Sequence, residues 1–230
     1  MNDSSHRRVP RAGKTQTTRT GQKSARSAAD FLPDRLSLPA LREAARTCEG
    51  CDLYKRATQT VFGDGPRKTN IMLVGEIPGD QEDRAGEPFV GPAGRILDSA
   101  LSEIGLERSD IYITNAVKHF SWEERGKKRL HKKPRRIEVV ACRPWLEAEI
   151  TVIKPKLIVC LGATAAQSLL GADFRITKHR GELLQTPWAP WLTATYHPSA
   201  LLRAPDEETR HTMQEEFVED LRRAISHAAA

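Results

Sequence analysis

Three stretches of the chain hold residues whose types and spacing could do chemistry. The first is residues 75–95, GEIPGDQEDRAGEPFVGPAGR, with five glycines and three prolines in 21 positions. Glycine lets backbone approach a ligand closely, and a helix starting at 92–95 offers free N–H groups to an anion. Glu76 and Asp80 place carboxylates in this loop, and Phe89 offers an aromatic face on which a base could stack. Strand-to-helix connections usually take about two to six residues, so a loop this long points to a ligand. The second group is the cysteines: Cys48 and Cys51 in a C-x-x-C pair, then Cys142 and Cys160, with none left over. Four thiolates complete one metal centre, and their spacing suits zinc and an iron–sulfur cluster equally. The third is residues 121–137, SWEERGKKRLHKKPRRI, where eight Lys or Arg stand against two Glu and surround His131. Taken alone, such a run is a solvated charged loop or a contact for a polyanion.

These residues need a frame to bring them together. Four β-rich runs, at 70–74, 111–117, 156–162 and 192–197, alternate with helical patterns at 38–47, 92–105, 135–150, 163–171 and 206–228. Pro144 is expected near a helix start or at a kink. Short strands that are apolar throughout are buried on both faces, which predicts a parallel sheet covered by helices on both sides. The expected class is therefore α/β, a three-layer α/β/α sandwich around a central four-stranded parallel sheet. Ligands of such sheets bind beyond the carboxyl ends of the strands, a rule that selects Gly75, Glu76, Asn115, Gly162 and His197.

Composition narrows the class further. The longest apolar stretch, residues 157–166, is about half of the roughly 18 residues a membrane-spanning helix needs. The net charge of +6 is uneven, with seven Lys or Arg against two Asp in residues 1–30. Residues 1–32 are rich in Ser, Thr, Arg and Gly, and are expected to form a disordered basic arm before a folded domain at 33–230. The arm lacks the apolar core of a secretory signal, so a reducing cytoplasm is the expected location, which favours metal ligands over disulfides. The chain is expected to act as a monomer without a membrane.

The loop motif, the C-x-x-C with two later cysteines, ITN at 113–115 and HPSA at 197–200 together resemble the family 4 uracil-DNA glycosylases over about residues 40–225. KRLHKKP at 128–134 resembles the insertion that marks the UdgX branch, whose members join themselves covalently to uracil-containing DNA. The resemblance implies a [4Fe–4S] cluster on Cys48, Cys51, Cys142 and Cys160. It gives Glu76 the part of the catalytic carboxylate, with Asp80 nearby and Gly75 and Ile77 flanking it in the substrate pocket. Phe89 would stack on uracil, Asn115 would read its Watson–Crick edge, and His197, followed by Ser199, would bond the departing base. His131 matches the covalent nucleophile and Arg129 the basic residue two places before it. Ile77 departs from the pattern, which has Gln in the UdgX branch and usually Ala in other members.

Excision requires the target nucleotide to leave the stack, and scission of C1′–N1 develops an oxocarbenium-like sugar and an anionic base. A carboxylate and an imidazole suit those two charges. Capture by His131 requires a neutral ring, and Lys127, Lys128, Arg129, Lys132 and Lys133 are expected to keep it so. The expected function is excision of uracil, preferably from single-stranded DNA, followed by attachment of His131 to C1′. The alternatives are a turnover enzyme releasing uracil and an abasic site, and a non-catalytic cluster-bearing nucleic-acid binder.

Overall fold

Along the chain run α1 (Leu38–Ala45), β1 (Ile71–Gly75), α2 (Asp80–Ala85), α3 (Pro92–Glu103), β2 (Tyr112–Asn115), β3 (Trp122–Arg125), β4 (Lys128–His131), α4 (Arg136–Ile153), β5 (Leu157–Leu161), α5 (Ala163–Leu170), α6 (Ile176–His179), β6 (Trp191–Thr195), α7 (Pro198–Leu201) and α8 (Glu207–Ala229). The computed structural model describes residues 26–229. Strands β2, β1, β5 and β6 lie side by side in that order, all parallel, and each is buried on both faces as its apolar run requires.

Alternation along the strands divides the core. Met72, Val74, Ile158 and Cys160 pack against Leu146 and Ile150 of α4 and Ala165, Ala166 and Leu169 of α5. Leu73, Leu157, Val159 and Leu161 point the other way, onto Leu97 and Leu101 of α3, Leu201 of α7, and Phe217 and Leu221 of α8. The result is the three-layer α/β/α sandwich. A third apolar group, including Leu41, Phe62, Ile77, Val117 and Trp145, gathers around Cys48 and Cys142 beside the sheet. Among the described residues no helix is long and apolar enough to cross a membrane.

Four features differ from the sequence expectation. The basic run is not a loop: β3 and β4 pair antiparallel around Gly126, whose φ of 60° admits the tight turn. The glycine-rich loop contains the short helix α2. Pro144 sits in the middle of α4 rather than near its start. Residues 1–25 of the expected arm lie outside the described residues, whereas 26–32 are ordered. Ser27 caps a 3-10 turn at Ala28–Phe31, and Ala28 is buried in the apolar group around Cys48.

One buried ion pair ties β2 to α4. Lys118 and Glu149 are both fully buried, with Nζ and Oε2 2.6 Å apart. Lys118 Nζ also donates to Thr114 Oγ1 at 2.6 Å and to the Asn115 carbonyl at 2.8 Å, which satisfies the ammonium. Glu149 further accepts from Tyr112 Oη, Thr114 Oγ1 and the Gly63 N–H. Removing one partner strands a buried charge, whereas removing both charges does not. Lys118→Met is therefore expected to destabilise the fold by about 3–5 kcal/mol, and Lys118→Met/Glu149→Gln to recover most of that loss. Urea titration of the three proteins, followed by circular dichroism, checks the order.

Candidate active site and cysteine centre

The strand ends form the floor of a cavity of about 940 Å³ lined by Glu76, Ile77, Asp80, Phe89, Asn115, His131, His197, Ser199 and Arg203. Gly75 and Asn115 pair in register, and the N–H groups of Ala116 and Val117 donate to the carbonyls of Gly75 and Glu76. A side chain at Gly75 would collide with Asn115 Oδ1 and with the Phe89 ring. Glycine there is what lets the amide and the ring meet. Phe89 itself holds a left-handed backbone, φ 57°, which is uncommon for a bulky residue. Arg108 donates to the Phe89 and Pro88 carbonyls and pairs with Asp98 at 2.5 Å, so the strained turn is braced from outside. Glu82 closes the loop by accepting from the Gly79 and Gly91 N–H groups at 3.1 and 2.8 Å.

Hydrogen bonding fixes the tautomer of His197. Its Nδ1 accepts from the Ser199 N–H at 3.1 Å and lies 2.7 Å from Ser199 Oγ. The proton therefore sits on Nε2, which can donate. Burial pushes the ring pKa down to about 4, with Arg203 and His131 adding to the shift, so His197 is a neutral donor at physiological pH. Glu76 Oε1 accepts from Thr164 Oγ1 at 2.7 Å at the start of α5.

His131 ends β4 and reaches the same cavity. Its pKa is lowered by partial burial; Glu76 opposes the shift and Arg203 adds to it. The lysines flanking His131, expected to keep it neutral, are not what lowers it: all four are exposed, where their charges are screened, although Lys133 also lines the cavity. Arg203 lines the cavity and has no carboxylate partner among the described residues, which leaves its charge for an anion.

Arg129 and Asp80 were expected at the chemistry, but the structure commits them to each other. Arg129 Nε lies 2.5 Å from Asp80 Oδ1, and Nη1 2.7 Å from the buried Asp83 Oδ2 and 3.1 Å from Thr58 Oγ1. Its guanidinium stands 5.3 Å from the Phe120 ring centre and 5.5 Å from that of Trp122. Asp80's other oxygen takes Arg84 at 2.9 Å; burial opposes, yet the two arginines hold its carboxyl below the usual range. The pair latches the hairpin to α2 and leaves neither group free to react. Ile77 is buried between the cavity and the apolar group around Cys48.

Cys48 and Cys142 share one apolar group beside the sheet and Cys51 interacts electrostatically with both, although among the described residues no three His, Cys, Asp or Glu side chains stand close enough to hold a single metal ion. Cys48 Sγ accepts from Trp145 Nε1 at 3.3 Å and from the Gly50 N–H at 3.5 Å, and Cys142 Sγ from the Lys118 N–H at 3.2 Å. Burial, offset by the Leu53 backbone and reinforced by Cys48, pushes Cys51 up to about 11, and burial, offset by Lys118 but reinforced by Cys51 and Cys48, pushes Cys142 up to about 12. Buried thiols with N–H donors aimed at sulfur, as at Cys48 and Cys142, suit cluster ligands, since such donors stabilise a ligating thiolate. Cys160 does not join them. It faces the α4 and α5 side of β5 within another apolar group, and burial alone raises it to about 12.

Glu82, Arg108, Thr164 and the Lys118–Glu149 pair escaped the sequence reading, although Gly79-x-x-Glu82 has the spacing of a helix cap and Arg203 directly follows HPSALL. Residues 62–222 match the uracil DNA glycosylase superfamily. The chain is similar to a type-4 uracil-DNA glycosylase of Pyrobaculum aerophilum, 36% identical over 193 residues that cover 81% of this chain and 92% of the relative. It is also similar to that of Thermotoga maritima, 39% identical over 176 residues covering 76% and 88%. A type-5 uracil-DNA glycosylase of P. aerophilum is 31% identical over 182 residues, covering 71% and 74%.

The neutral His197 has a consequence for stability. Its folded pKa, about 4, lies below the unfolded value near 6.5, so the unfolded chain takes the proton first as pH falls. Stability is complete above about pH 6.5 and declines toward pH 4, by at most about 3 kcal/mol from this group. Urea midpoints at pH 7.5, 5.5 and 4.5 are expected to fall less steeply in His197→Gln than in the wild type.

Proposed function

The chain belongs to the uracil-DNA glycosylase superfamily, and from the residues gathered in its cavity we propose that it cleaves uracil from DNA and then captures the sugar on His131. Kinship with type-4 enzymes makes it a glycosylase that breaks the N-glycosidic bond, and turns the reading away from a non-catalytic binder.

Uracil leaves the stack and enters the cavity, a step that costs least from single-stranded DNA. Phe89 stacks on the base and the Asn115 amide reads its edge. The C1′–N1 bond breaks with its electron pair passing to N1, and His197 donates Nε2–H to the base oxygen on which charge collects. Because that donor is neutral and already oriented, it needs no rearrangement as charge develops. Glu76 faces the cationic sugar. The unprotonated ring nitrogen of His131 then forms a bond to C1′, and the ring's remaining N–H proton is lost to solvent, which restores a neutral imidazole. Water reaching C1′ first would instead give an abasic site.

The observation that carries this reading is the convergence of His131, Glu76 and His197 on one cavity, with the hairpin latched through Arg129. The latch also bears on Ile77. A side chain without a hydrogen-bonding group cannot tether the hairpin, and the two carboxylates on Arg129 supply the tether from the other side. The thiols of Cys48, Cys51 and Cys142 would hold a [4Fe–4S] cluster that cross-links the 48–51 loop to α4. Its chemistry here is structural, since heterolysis moves an electron pair and needs no redox partner.

A denaturing gel after incubation with uracil-containing single-stranded DNA tests the proposal. Wild type is expected to leave a protein–DNA band that His131→Ser abolishes, with free abasic product in its place. Arg129→Met is expected to cut the band at least tenfold while base release persists, and Glu76→Gln to slow release by about 10²–10³. Because burial lowers the His131 pKa from its ordinary value, the band is expected to fade only at a more acid pH than an ordinary imidazole would give. Catalytic release of uracil with His131 unmodified by mass spectrometry would refute capture.

A further inference from the structure

We infer that Thr164 is a positioning residue for Glu76: its hydroxyl holds one carboxylate oxygen against the start of α5 and leaves the other turned to the cavity, where the sugar would lie. The inference rests on the part given to Glu76 above and concerns a residue that acts through it.

Strand register brings the pair together although 88 positions separate them in sequence. β1 and β5 are adjacent and parallel, with Val74 opposite Cys160, so their carboxyl ends stop at one level. Glu76 directly follows β1, and Gly162 alone separates β5 from α5. Gly162 has φ 92°, a conformation that glycine adopts readily, and a Cβ there would stand 3.0 Å from His197 Cβ. That tight turn sets the start of α5 beside Glu76 and His197.

Thr164 is the second residue of α5, 7% exposed, and lines the cavity. Inside a helix, a serine or threonine hydroxyl commonly gives its proton to a carbonyl three or four residues back, as Ser168 does to Ala165 at 2.6 Å. At the second position no earlier helical turn exists to accept it. The Thr164 proton goes instead to Glu76 Oε1 at 2.7 Å. β-Branching restricts the Thr164 side chain, so a fixed helix start becomes a fixed donor. Glutamate, by contrast, has three side-chain torsions, the last of them broad. Among the described residues no other group bonds the Glu76 carboxylate, and the Thr164 hydroxyl is what sets its plane.

Orientation matters here because a carboxylate stabilises a developing cation best when it is already in place as the charge appears. Without the hydroxyl the negative charge remains but can turn. The loss then falls on the transition state rather than on the binding of DNA, which separates the two in the kinetics.

Single-turnover release of uracil from single-stranded DNA, measured with full-length protein in increasing excess, tests the assignment. Thr164→Val keeps the side chain's shape and removes the donor. Its maximal rate is expected to fall by about 10- to 100-fold, the range for a hydrogen bond to a charged group, with the half-saturating protein concentration unchanged. Thr164→Ser keeps the hydroxyl and is expected to recover most of the rate, and Thr164→Ala supplies the same comparison if the valine variant does not fold. In a Glu76→Ala background the valine substitution is expected to change the rate by less than about twofold, because the residue it acts through is gone. A valine variant as fast as wild type, a serine variant as slow as the valine one, a raised half-saturating concentration at an unchanged maximal rate, or an equal fall in both backgrounds would overturn the inference alone. Glu76→Ala releasing uracil at the wild-type rate would overturn the part given to Glu76, and this inference with it.

Discussion

A guanidinium held between two carboxylates decides where the His131 hairpin stands. An isolated two-stranded ribbon is marginal in water, and β3 and β4 offer little apolar surface: their residues are mostly charged and exposed. Backbone pairing alone would leave the ribbon free to swing. Arg129 removes that freedom by placing its planar fork on Asp80 and on Asp83, the second of which is fully buried, while its faces meet Phe120 and Trp122. Arg56, 4.2 Å from the Trp122 ring centre, extends the stack. A lysine could supply the charge but not the bidentate geometry, and geometry is what brings a ring two residues away to the mouth of the cavity.

The same economy runs through the two histidines. In both the ring's pKa is lowered, and in both the main cause is burial rather than the sign of nearby sequence neighbours. Arg203 reinforces both shifts from a single position, so one cation acts on the two rings from the wall of the cavity they share. His197 is oriented by Ser199, and His131 by the latch. The two rings thus differ in function through what fixes them: one is aimed by its own backbone turn, the other by an ion pair on a separate element.

The strands were legible because their residues are apolar on both faces, a pattern that only a covered parallel sheet accommodates. The cavity residues followed from the rule that ligands sit beyond the strand ends, which required no knowledge of side-chain contacts. The hairpin was not legible: KKRLHKK has no alternation of apolar and polar residues, and what orders it is a contact 46 residues away with Asp83. The pairing of Arg129 with Asp80 was hidden for the same reason, since the partner of a charge in a motif cannot be read from its sequence neighbours. Cys160 had a readable signal. It stands two residues after Ile158 in a run buried on both faces, and so shares the Ile158 side of the sheet, away from the C-x-x-C loop. Counting cysteines hid that periodicity.

Residues 115–119 join the base-reading end of the protein to the thiol centre. The Asn115 carbonyl receives Lys118 Nζ, the Lys118 N–H meets Cys142 Sγ, and the Lys118 carbonyl receives the Val61 N–H. One residue therefore bonds the backbone of Asn115, whose side chain faces the cavity, the helix that carries a thiol and the loop that precedes β1. Because its ammonium is fully buried and fully bonded, Lys118 has a single low-energy position, and that position sets the peptide plane behind Asn115. Anything that draws Cys48, Cys51 and Cys142 together on one centre also fixes α4 against this stretch. The thiol region then bears on the cavity without lining it: it holds the backbone from which the Asn115 amide projects.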